Sequence, residues 1–397
     1  MIATLNNRLI VLFAFLIGPL GVLAPKGIAV LVVVTGLAGL VGWLGKESPR
    51  PSFKLSILTI LSALALWAAA SAAWAIIPAN ALLLVLRLVF VVVSGAGLMF
   101  AISRLDLNFH RHAENALLVG WVVGLSIMAV GFVCAMKTGD SLWGTYYFDP
   151  LTTLNNGAVA LSLIAWPALA VAWRRSRKWA AAGVVMAYFG FIFLSSGTAL
   201  LAPAVGLVGF FIVWFLGRRG AVAVGAIAAI LVLASPQLVN SFLSVDSVGN
   251  IAAKFPPSAR HRLKMWAFAV EKINEKPLLG WGMDASRSIP QEDRRLAPNM
   301  EIMPLHPHNA FLQTRLELGI PGAVIVAALV GYFFIVVAGG GKNRFCCGIM
   351  TAAGLSYLTV ASLSYGVWQN WWVAFAWALA ALTGLALRNY SSPTPEG

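Results

Sequence analysis

The sequence predicts an all-α, polytopic membrane protein, and three features of its composition point to this class. Hydrophobic residues make up 60% of the 397 positions and only 11% are charged, whereas soluble domains carry about 25% charged residues. Apolar runs of roughly 20 residues recur from one end of the chain to the other, and a run of that length can cross a bilayer as a helix. The runs are continuous and do not alternate with polar residues, which argues against membrane-spanning strands.

We count about twelve apolar runs and take each as one transmembrane helix, with errors of roughly two to four residues at each end. The runs cover 9–25, 27–45, 55–77, 81–103, 114–136, 151–173, 179–196, 199–216, 221–238, 310–337, 346–365 and 371–388. Only Gly197 and Thr198 separate the seventh and eighth runs, which predicts a tight hairpin. The first run lacks a small-residue cleavage site, so we expect a retained helix and not a signal peptide.

The basic residues of the short loops predict the orientation. With twelve spans, more than half of the 28 Lys and Arg fall on one face, together with both ends of the chain. They are Arg8, Lys46, Arg50, Lys54, Arg104, Arg111, Arg174, Arg175, Arg177, Lys178, Arg218, Arg219, Lys342, Arg344 and Arg388. Short cytoplasmic loops collect such residues, so we expect both termini in the cytoplasm. The same rule accounts for the net charge of +14 without nucleic acid, for which the chain carries no binding motif.

One long polar segment divides the chain into three parts. These are a nine-helix transmembrane part at 1–238, a loop on the outer face at 239–309, and a three-helix part with a short cytoplasmic tail at 310–397. In the loop, apolar residues from Leu263 to Ile273 recur at helical spacing and predict an amphipathic helix that Pro277 ends. The simplest arrangement lays this helix on the membrane surface with its aromatic side down. Gly280-Trp281-Gly282 then predicts a tight bend.

His308 is the leading candidate for chemistry, because an imidazole can take a proton from a hydroxyl near neutral pH. Its alternative role is a polar cap at the start of the helix that follows. Asn309 could orient a substrate or cap that helix. Glu317 lies nine residues after His308, so the two need not touch; a pair between Arg315 and Glu317 would be structural. His306 is the weaker histidine because Pro307 separates it from the helix start.

Three arginines are candidates for binding an anion. Arg262 shares a helix face with Trp266, and its forked donors match phosphate oxygens; the alternative is an interfacial arginine that reaches the headgroups. Arg260 could substitute for it. Arg87 lies within an apolar run, where a charge usually faces a bundle interior or a cavity. Asp149, Asn155 and Asn156 are weaker candidates for lining the same cavity.

Nothing in the sequence predicts a cofactor or a metal. Cys134, Cys346 and Cys347 lie in or beside apolar runs without ligand spacing. No P-loop, HExxH or Ser-His-Asp spacing is present.

The loop motifs resemble the signature of the O-antigen ligase and polymerase superfamily, and the chain is most similar to an O-antigen ligase. The resemblance rests on Arg262-x-x-x-Trp266, on Lys276-Pro277-Leu278-Leu279-Gly280-Trp281-Gly282, and on the stretch from His308-Asn309 through Gln313 and Glu317 to Gly322. Leu194 to Ala202 is similar to the earlier hairpin motif of the family. There the family carries an Arg after its Ser pair, and Gly197 stands near that place; Arg87 and Arg260 are the candidates to replace it.

The resemblance implies a metal-independent glycosyltransferase at the periplasmic face of a bacterial inner membrane. The implied donor is a glycan on undecaprenyl pyrophosphate, and the implied acceptor is lipid A-core. On this basis His308 is expected to be the general base or to orient the acceptor, and Arg262 to bind the pyrophosphate. Arg87, Arg260, Asn309 and Gln313 are the further substrate-binding candidates.

Other functions stay open at this point. An O-antigen polymerase and a protein O-oligosaccharyltransferase share the motifs and differ in the acceptor. A non-enzymatic transporter of an anion or a lipid-linked sugar would use Arg87 and the basic loop, although the sequence has no clear inverted repeat. A degenerate member that only binds its donor is suggested by Gly197.

Overall fold

The computed structural model describes residues 2–44, 55–138, 150–193, 196–243, 254–255, 257–291, 295–297, 300–340 and 343–390. Several residues named above lie outside these ranges: Lys46, Arg50, Lys54, Asp149, Leu194 and Lys342. Within the described part the chain is almost entirely helical, and the predicted all-α polytopic class is confirmed.

Thirteen α-helices follow one another through the described residues. They are α1 Ile2–Leu23, α2 Gly27–Leu44, α3 Leu55–Ala70, α4 Pro78–Ser103, α5 Leu107–Thr138, α6 Pro150–Arg175, α7 Arg177–Phe193, α8 Gly197–Leu216, α9 Arg218–Phe242, α10 Pro257–Glu275, α11 Ala310–Gly339, α12 Arg344–Leu363 and α13 Asn370–Leu387. Single 3₁₀ turns lie at Ser71–Ala73, Ala285–Arg287 and Arg388–Tyr390. A two-stranded antiparallel ribbon, β1 Arg295–Ala297 and β2 Met300–Glu301, lies in the loop before α11.

Ten helical spans of at least 18 residues are apolar enough to cross a membrane, in the part of the chain that could be searched. One of them is α3 continued by its 3₁₀ turn, Leu55–Ala73. The other two predicted spans correspond to α2, whose apolar part is Gly27–Gly42, and to the 17-residue α7. The hairpin between the seventh and eighth spans was placed slightly too late, because Gly197 and Thr198 already belong to the first turn of α8.

Small residues let the membrane helices approach closely, as helix pairs in lipid commonly do. Helix α1 packs on α5, and a Cβ added to Gly18 would lie 2.2 Å from the carbonyl oxygen of Gly120. Helices α8 and α12 form a second tight pair, and α9 packs along α11. The α9–α11 pair forms one wall below the long loop, with Phe334 fully buried against Gly225.

A buried ionic cluster joins helix ends far from the loop. Glu114 of α5 is 2% exposed and receives the guanidinium of Arg174 of α6 at 2.5 Å. Arg388 donates to the carbonyl oxygen of Leu105 at 2.7 Å. A desolvated carboxylate needs such donors, and the cluster fastens α13 to α5 and α6.

Candidate functional site

The long loop is fastened to α11 at a break in that helix. Gly319 has φ 64° and ψ −156°, and Pro321, which has no N–H, follows it, so the helical hydrogen bonds around this point are lost. Donors from elsewhere take up the freed carbonyls. Trp281 N donates to Leu316 O at 2.9 Å and Gly282 N to Glu317 O at 2.9 Å. This explains in physical terms why the loop motif 276–282 and the helix motif 317–322 occur together.

Two glycines make this approach possible. A Cβ on Gly319 would lie 2.0 Å from Leu278 O, and a Cβ on Gly280 would lie 2.6 Å from Glu317 O. Both glycines also have positive φ, at 64° and 72°, which other residues rarely adopt. The predicted tight bend at 280–282 is confirmed, and its purpose is backbone contact with α11.

Glu317 is the polar centre of this junction. Its side chain is fully buried, and its carboxylate accepts hydrogen bonds from five donors. Asp284 N (2.8 Å) and Trp368 Nε1 (2.9 Å) bond to Oε2. Ser286 N (3.3 Å), Ser286 Oγ and Gln313 Nε2 (3.0 Å) bond to Oε1. The carboxylate therefore ties the loop, α11 and the α12–α13 connection together, and it does not pair with Arg315.

His308 stands immediately before α11 in a left-handed backbone conformation, with φ 53°. Such a conformation is uncommon outside glycine and is often found at functional sites. Asn309 caps the helix, and its Oδ1 accepts from Phe311 N and Leu312 N at 3.0 and 3.1 Å. The capping alternative therefore applies to Asn309, which leaves the His308 ring available for another role.

The His308 ring is held in one tautomer. Its Nδ1 faces the carbonyl oxygen of Ser364, which can only accept, so Nδ1 carries the proton and Nε2 keeps a lone pair. In the described part of the chain no protein group bonds to Nε2. Burial lowers the pKa of His308, the Ser364 bond opposes this, and the charge of Arg262 lowers the pKa further. His308 is thus neutral at neutral pH, as a general base must be.

His306 supports His308 from behind. Its Nδ1 accepts from the backbone N–H of His308 at 3.1 Å, and the two rings lie 4.3 Å apart. Its Nε2 lies 3.0 Å from the Gln369 side-chain amide. Burial, with the charges of His308 and Arg287, lowers the pKa of His306 to about 3. A neutral imidazole is what the bond from His308 N requires.

Helix α10 carries Arg262 to the same place. The Trp266 indole donates to Pro307 O at 2.8 Å and so anchors the helix to the His306–His308 segment. Arg262 lies one turn earlier, close enough for its charge to act on both His308 and Tyr365. Burial lowers the pKa of Arg262 as well. Among the described residues, no hydrogen bond or ion pair occupies its half-buried guanidinium.

The prediction of an amphipathic helix is confirmed by α10, but the prediction that its apolar side lies on the membrane surface is wrong. Phe268, Val270 and Ile273 of α10 form a buried cluster with Leu312 and Leu316 of α11. The apolar face of α10 therefore packs on protein, because the first turns of α11 offer a complementary apolar face.

The α7–α8 hairpin reaches the site through Ser364. The hydroxyl of Ser364 bonds to Thr198 Oγ1 at 3.1 Å, while its carbonyl accepts from His308. Gly197 is exposed, and a Cβ added there would meet no atom of the described residues within 4 Å. The first turn of α8 thus lies beside the segment that holds His308, and no described residue fills the space next to Gly197.

The remaining candidates separate into two groups. Arg260 lies half-buried on α10 near Arg262, and its Nη2 donates to Phe255 O at 3.3 Å. Arg87 is exposed, not inside the bundle, and its charge acts on Asp284. Gln313 does not suit substrate binding, because its amide is engaged at both ends, by Glu317 and by Val367 N at 2.9 Å.

Sequence reasoning missed the contribution of the α12–α13 connection. Ser364, Tyr365, Trp368 and Gln369 all contact the site residues named above, and the Tyr365 hydroxyl donates to Asn156 Oδ1 at 2.8 Å. The aromatic residues of this connection are also typical of the interfacial belt of a membrane protein. Two amide residues, Gln369 and Asn370, interrupt this aromatic stretch. They are the sequence feature that could have indicated a role in the site.

The fold and the site together define a polytopic membrane protein with a titratable site where a long polar loop docks on a broken transmembrane helix. A family model described as O-antigen ligase matches residues 181–327, from α7 through α10 to α11. These residues and the relatives below are similar to O-antigen ligases, and the resemblance found in the sequence is confirmed.

The similar curated proteins come from Rickettsia species and carry the name "Putative polysaccharide ligase". The one from Rickettsia bellii is 26% identical over 92% of this chain and 95% of its own length. The one from Rickettsia felis is 24% identical over 80% and 77%. The one from Rickettsia conorii is 29% identical, over 58% of this chain and only 57% of its own length. These similarities support an enzyme with an O-antigen ligase-type function.

Proposed function

We propose that the protein transfers a glycan from undecaprenyl pyrophosphate to a sugar hydroxyl of lipid A-core, at the periplasmic face of a bacterial inner membrane. In this topology both termini are cytoplasmic and the 239–309 loop is periplasmic. The observation that carries the proposal is the pairing of a neutral His308, with its Nε2 available, and an Arg262 guanidinium that has no partner among the described residues.

The proposed reaction uses each group once. His308 Nε2 accepts the proton of the acceptor hydroxyl as the oxygen attacks the anomeric carbon. The bond from that carbon to the pyrophosphate oxygen breaks, and the leaving group takes the electron pair. Arg262 stabilises the negative charge that grows on the pyrophosphate. No cofactor or metal is needed for this balance.

Arg262 also couples donor binding to the basicity of His308. Its positive charge lowers the pKa of His308 in the free protein. A bound pyrophosphate would neutralise that charge, so the pKa of His308 would rise when the donor is in place. His308 would then be a stronger base in the donor complex than in the free enzyme, which favours proton transfer once the donor is bound.

The test is a lipopolysaccharide gel from cells in which the gene is deleted and replaced by wild type or by His308→Ala. The proposal expects core without polymer in the deletion strain and in the His308→Ala strain, with normal amounts of inserted protein. Normal capping of core by the His308→Ala protein would refute the catalytic role. Core carrying a single repeat unit would indicate a polymerase. Intact lipopolysaccharide with loss of protein glycosylation would indicate a protein O-oligosaccharyltransferase.

A further inference from the structure

Arg315 is a buried cation with no counter-charge among the described residues. Four Asp, Glu, Lys or Arg side chains are buried in the described part of the chain: Glu114, Lys272, Arg315 and Glu317. Glu114 has Arg174 and Lys272 has Glu275 at 2.8 Å, while Glu317 has its five donors. Arg315 is 9% exposed, its Nε is shielded without a hydrogen bond, and no ion pair reaches it among the described residues.

The nearest acidic residue in the sequence does not help. Glu317 is two positions away, and residues at that spacing point to different sides of a helix. Its carboxylate is also fully engaged by other donors. A buried guanidinium without a counter-charge is unfavourable, and ionisable residues inside membrane helices generally mark a binding site. Arg315 is therefore a buried cation whose charge a bound anion could neutralise.

The position of Arg315 is set by its helix neighbours. It lies one turn after Phe311, which packs against the cluster that contains Val232 of α9. It lies three residues after Leu312, whose cluster also contacts Val239 of α9. Residues at these spacings share one face of a helix, so Arg315 is on the face of α11 that Leu312 and Phe311 turn toward α9 and α10. Long side chains on a helix lean toward its N-terminus, which here is the end that carries His308.

We propose that Arg315 binds a phosphate group of the lipid-linked donor, as a second cation beside Arg262. The inference rests on the proposed function and adds a residue to the same site. A guanidinium matches two phosphate oxygens at once, and a diphosphate has enough oxygens for two arginines. Placed between transmembrane helices, Arg315 would meet the phosphate next to the lipid tail, while Arg262 on α10 would meet the group from the loop side.

The experiment measures binding, not transfer. Full-length protein in nanodiscs of a zwitterionic phospholipid is titrated with undecaprenyl pyrophosphate that carries no glycan. Arg315→Met should weaken binding by about tenfold or more, since charge-assisted hydrogen bonds are lost. Lys276→Met, which removes an exposed loop cation that stacks on Trp281, should leave the affinity unchanged. Arg315→Lys keeps the charge without the fork and should lie between the two.

Thermal unfolding of the ligand-free protein separates binding from structure. Removing an uncompensated buried charge should leave the stability of Arg315→Met equal to or above that of wild type. Wild-type affinity in Arg315→Met would overturn the proposal, and so would a wild-type protein that does not bind the probe. The thermal unfolding is repeated in nanodiscs that contain phosphatidylglycerol. If Arg315→Met kept its affinity for undecaprenyl pyrophosphate and lost only a stabilisation by phosphatidylglycerol, the anion would be a bulk lipid headgroup, and the proposal would be overturned.

The two proposals fail separately. His308→Ala should bind undecaprenyl pyrophosphate within about twofold of wild type, because its role is in proton transfer and not in holding phosphate. If His308→Ala still transferred glycan normally, the catalytic role of His308 would be refuted, and the proposed binding role of Arg315 would be unaffected. If only Arg315→Met behaved as wild type, the second cation alone would be refuted.

Discussion

Replacing Glu317 by Gln tests whether one carboxylate organises the site. The substitution keeps size and shape but turns one acceptor oxygen into an NH₂ group. If the NH₂ replaces Oε2, the donors Asp284 N and Trp368 Nε1 lose their acceptor. If it replaces Oε1, Ser286 N and Gln313 Nε2 lose theirs. Either orientation leaves two buried donors unpaired.

Each unpaired buried donor costs about 1–3 kcal/mol, so Glu317→Gln should lower the free energy of unfolding by about 2–6 kcal/mol. The loss should be measured by denaturant titration of the full-length protein in mixed micelles, together with limited proteolysis of the loop. Cleavage between 276 and 309 should accelerate, because this segment loses its attachment to α11. Glu301→Gln, which changes an exposed carboxylate that accepts one bond from Gln291, should stay within about 0.5 kcal/mol of wild type. Wild-type stability and loop protection in Glu317→Gln would refute the reasoning.

Three further changes test separate contacts. Trp266→Phe and Trp281→Phe each remove one indole bond of 2.8 Å, to Pro307 O and to Lys272 O; both should destabilise by about 1–3 kcal/mol, but only Trp266→Phe should slow transfer, and equal rates would contradict the positioning role. The pKa of His306 is lowered to about 3, so its contribution to stability is present above the unfolded pKa near 6.5 and is lost as the pH falls toward 3. His306→Gln should reduce the slope of the free energy of unfolding against pH by up to about 1.4 kcal/mol per pH unit. An unchanged pH profile of unfolding would contradict this. Gly197→Arg should fold normally because a side chain there meets no described atom within 4 Å, and it should strengthen binding of undecaprenyl pyrophosphate. Weaker binding by a stably folded variant would show that position 197 does not face the donor.

Most of the fold followed from the sequence because hydropathy and helical periodicity are local properties. The apolar runs gave the membrane helices, and the spacing of Leu263, Trp266 and Val270 gave α10. The sequence did not predict what covers the apolar face of α10, since lipid tails and an apolar protein surface can both cover such a face. That choice depends on Leu312 and Leu316, which lie about forty residues further along the chain.

The site could be predicted only in part, for a similar reason. His308 and Arg262 carried the motifs, and the structure brings them together through Trp266 and Pro307. The role of Glu317 could not be deduced, because four of its five donors come from distant segments. One local signal was present: Gly319 and Pro321 inside an apolar run require that freed carbonyls find donors elsewhere. The side of the hairpin that faces Ser364 depends on tertiary packing of α8 and α12.

The most direct test of the central claim is transfer in vitro with purified full-length protein, a lipid-pyrophosphate-linked glycan and lipid A-core, measured in single turnover as a function of pH. The account predicts that His308→Ala reduces the rate by about 10²- to 10⁴-fold while donor binding is kept. It also predicts that the wild-type rate falls as His308 becomes protonated at acidic pH and that the residual rate of His308→Ala lacks this dependence. A His308→Ala protein that transfers glycan at the wild-type rate, with the same pH profile, would contradict the account.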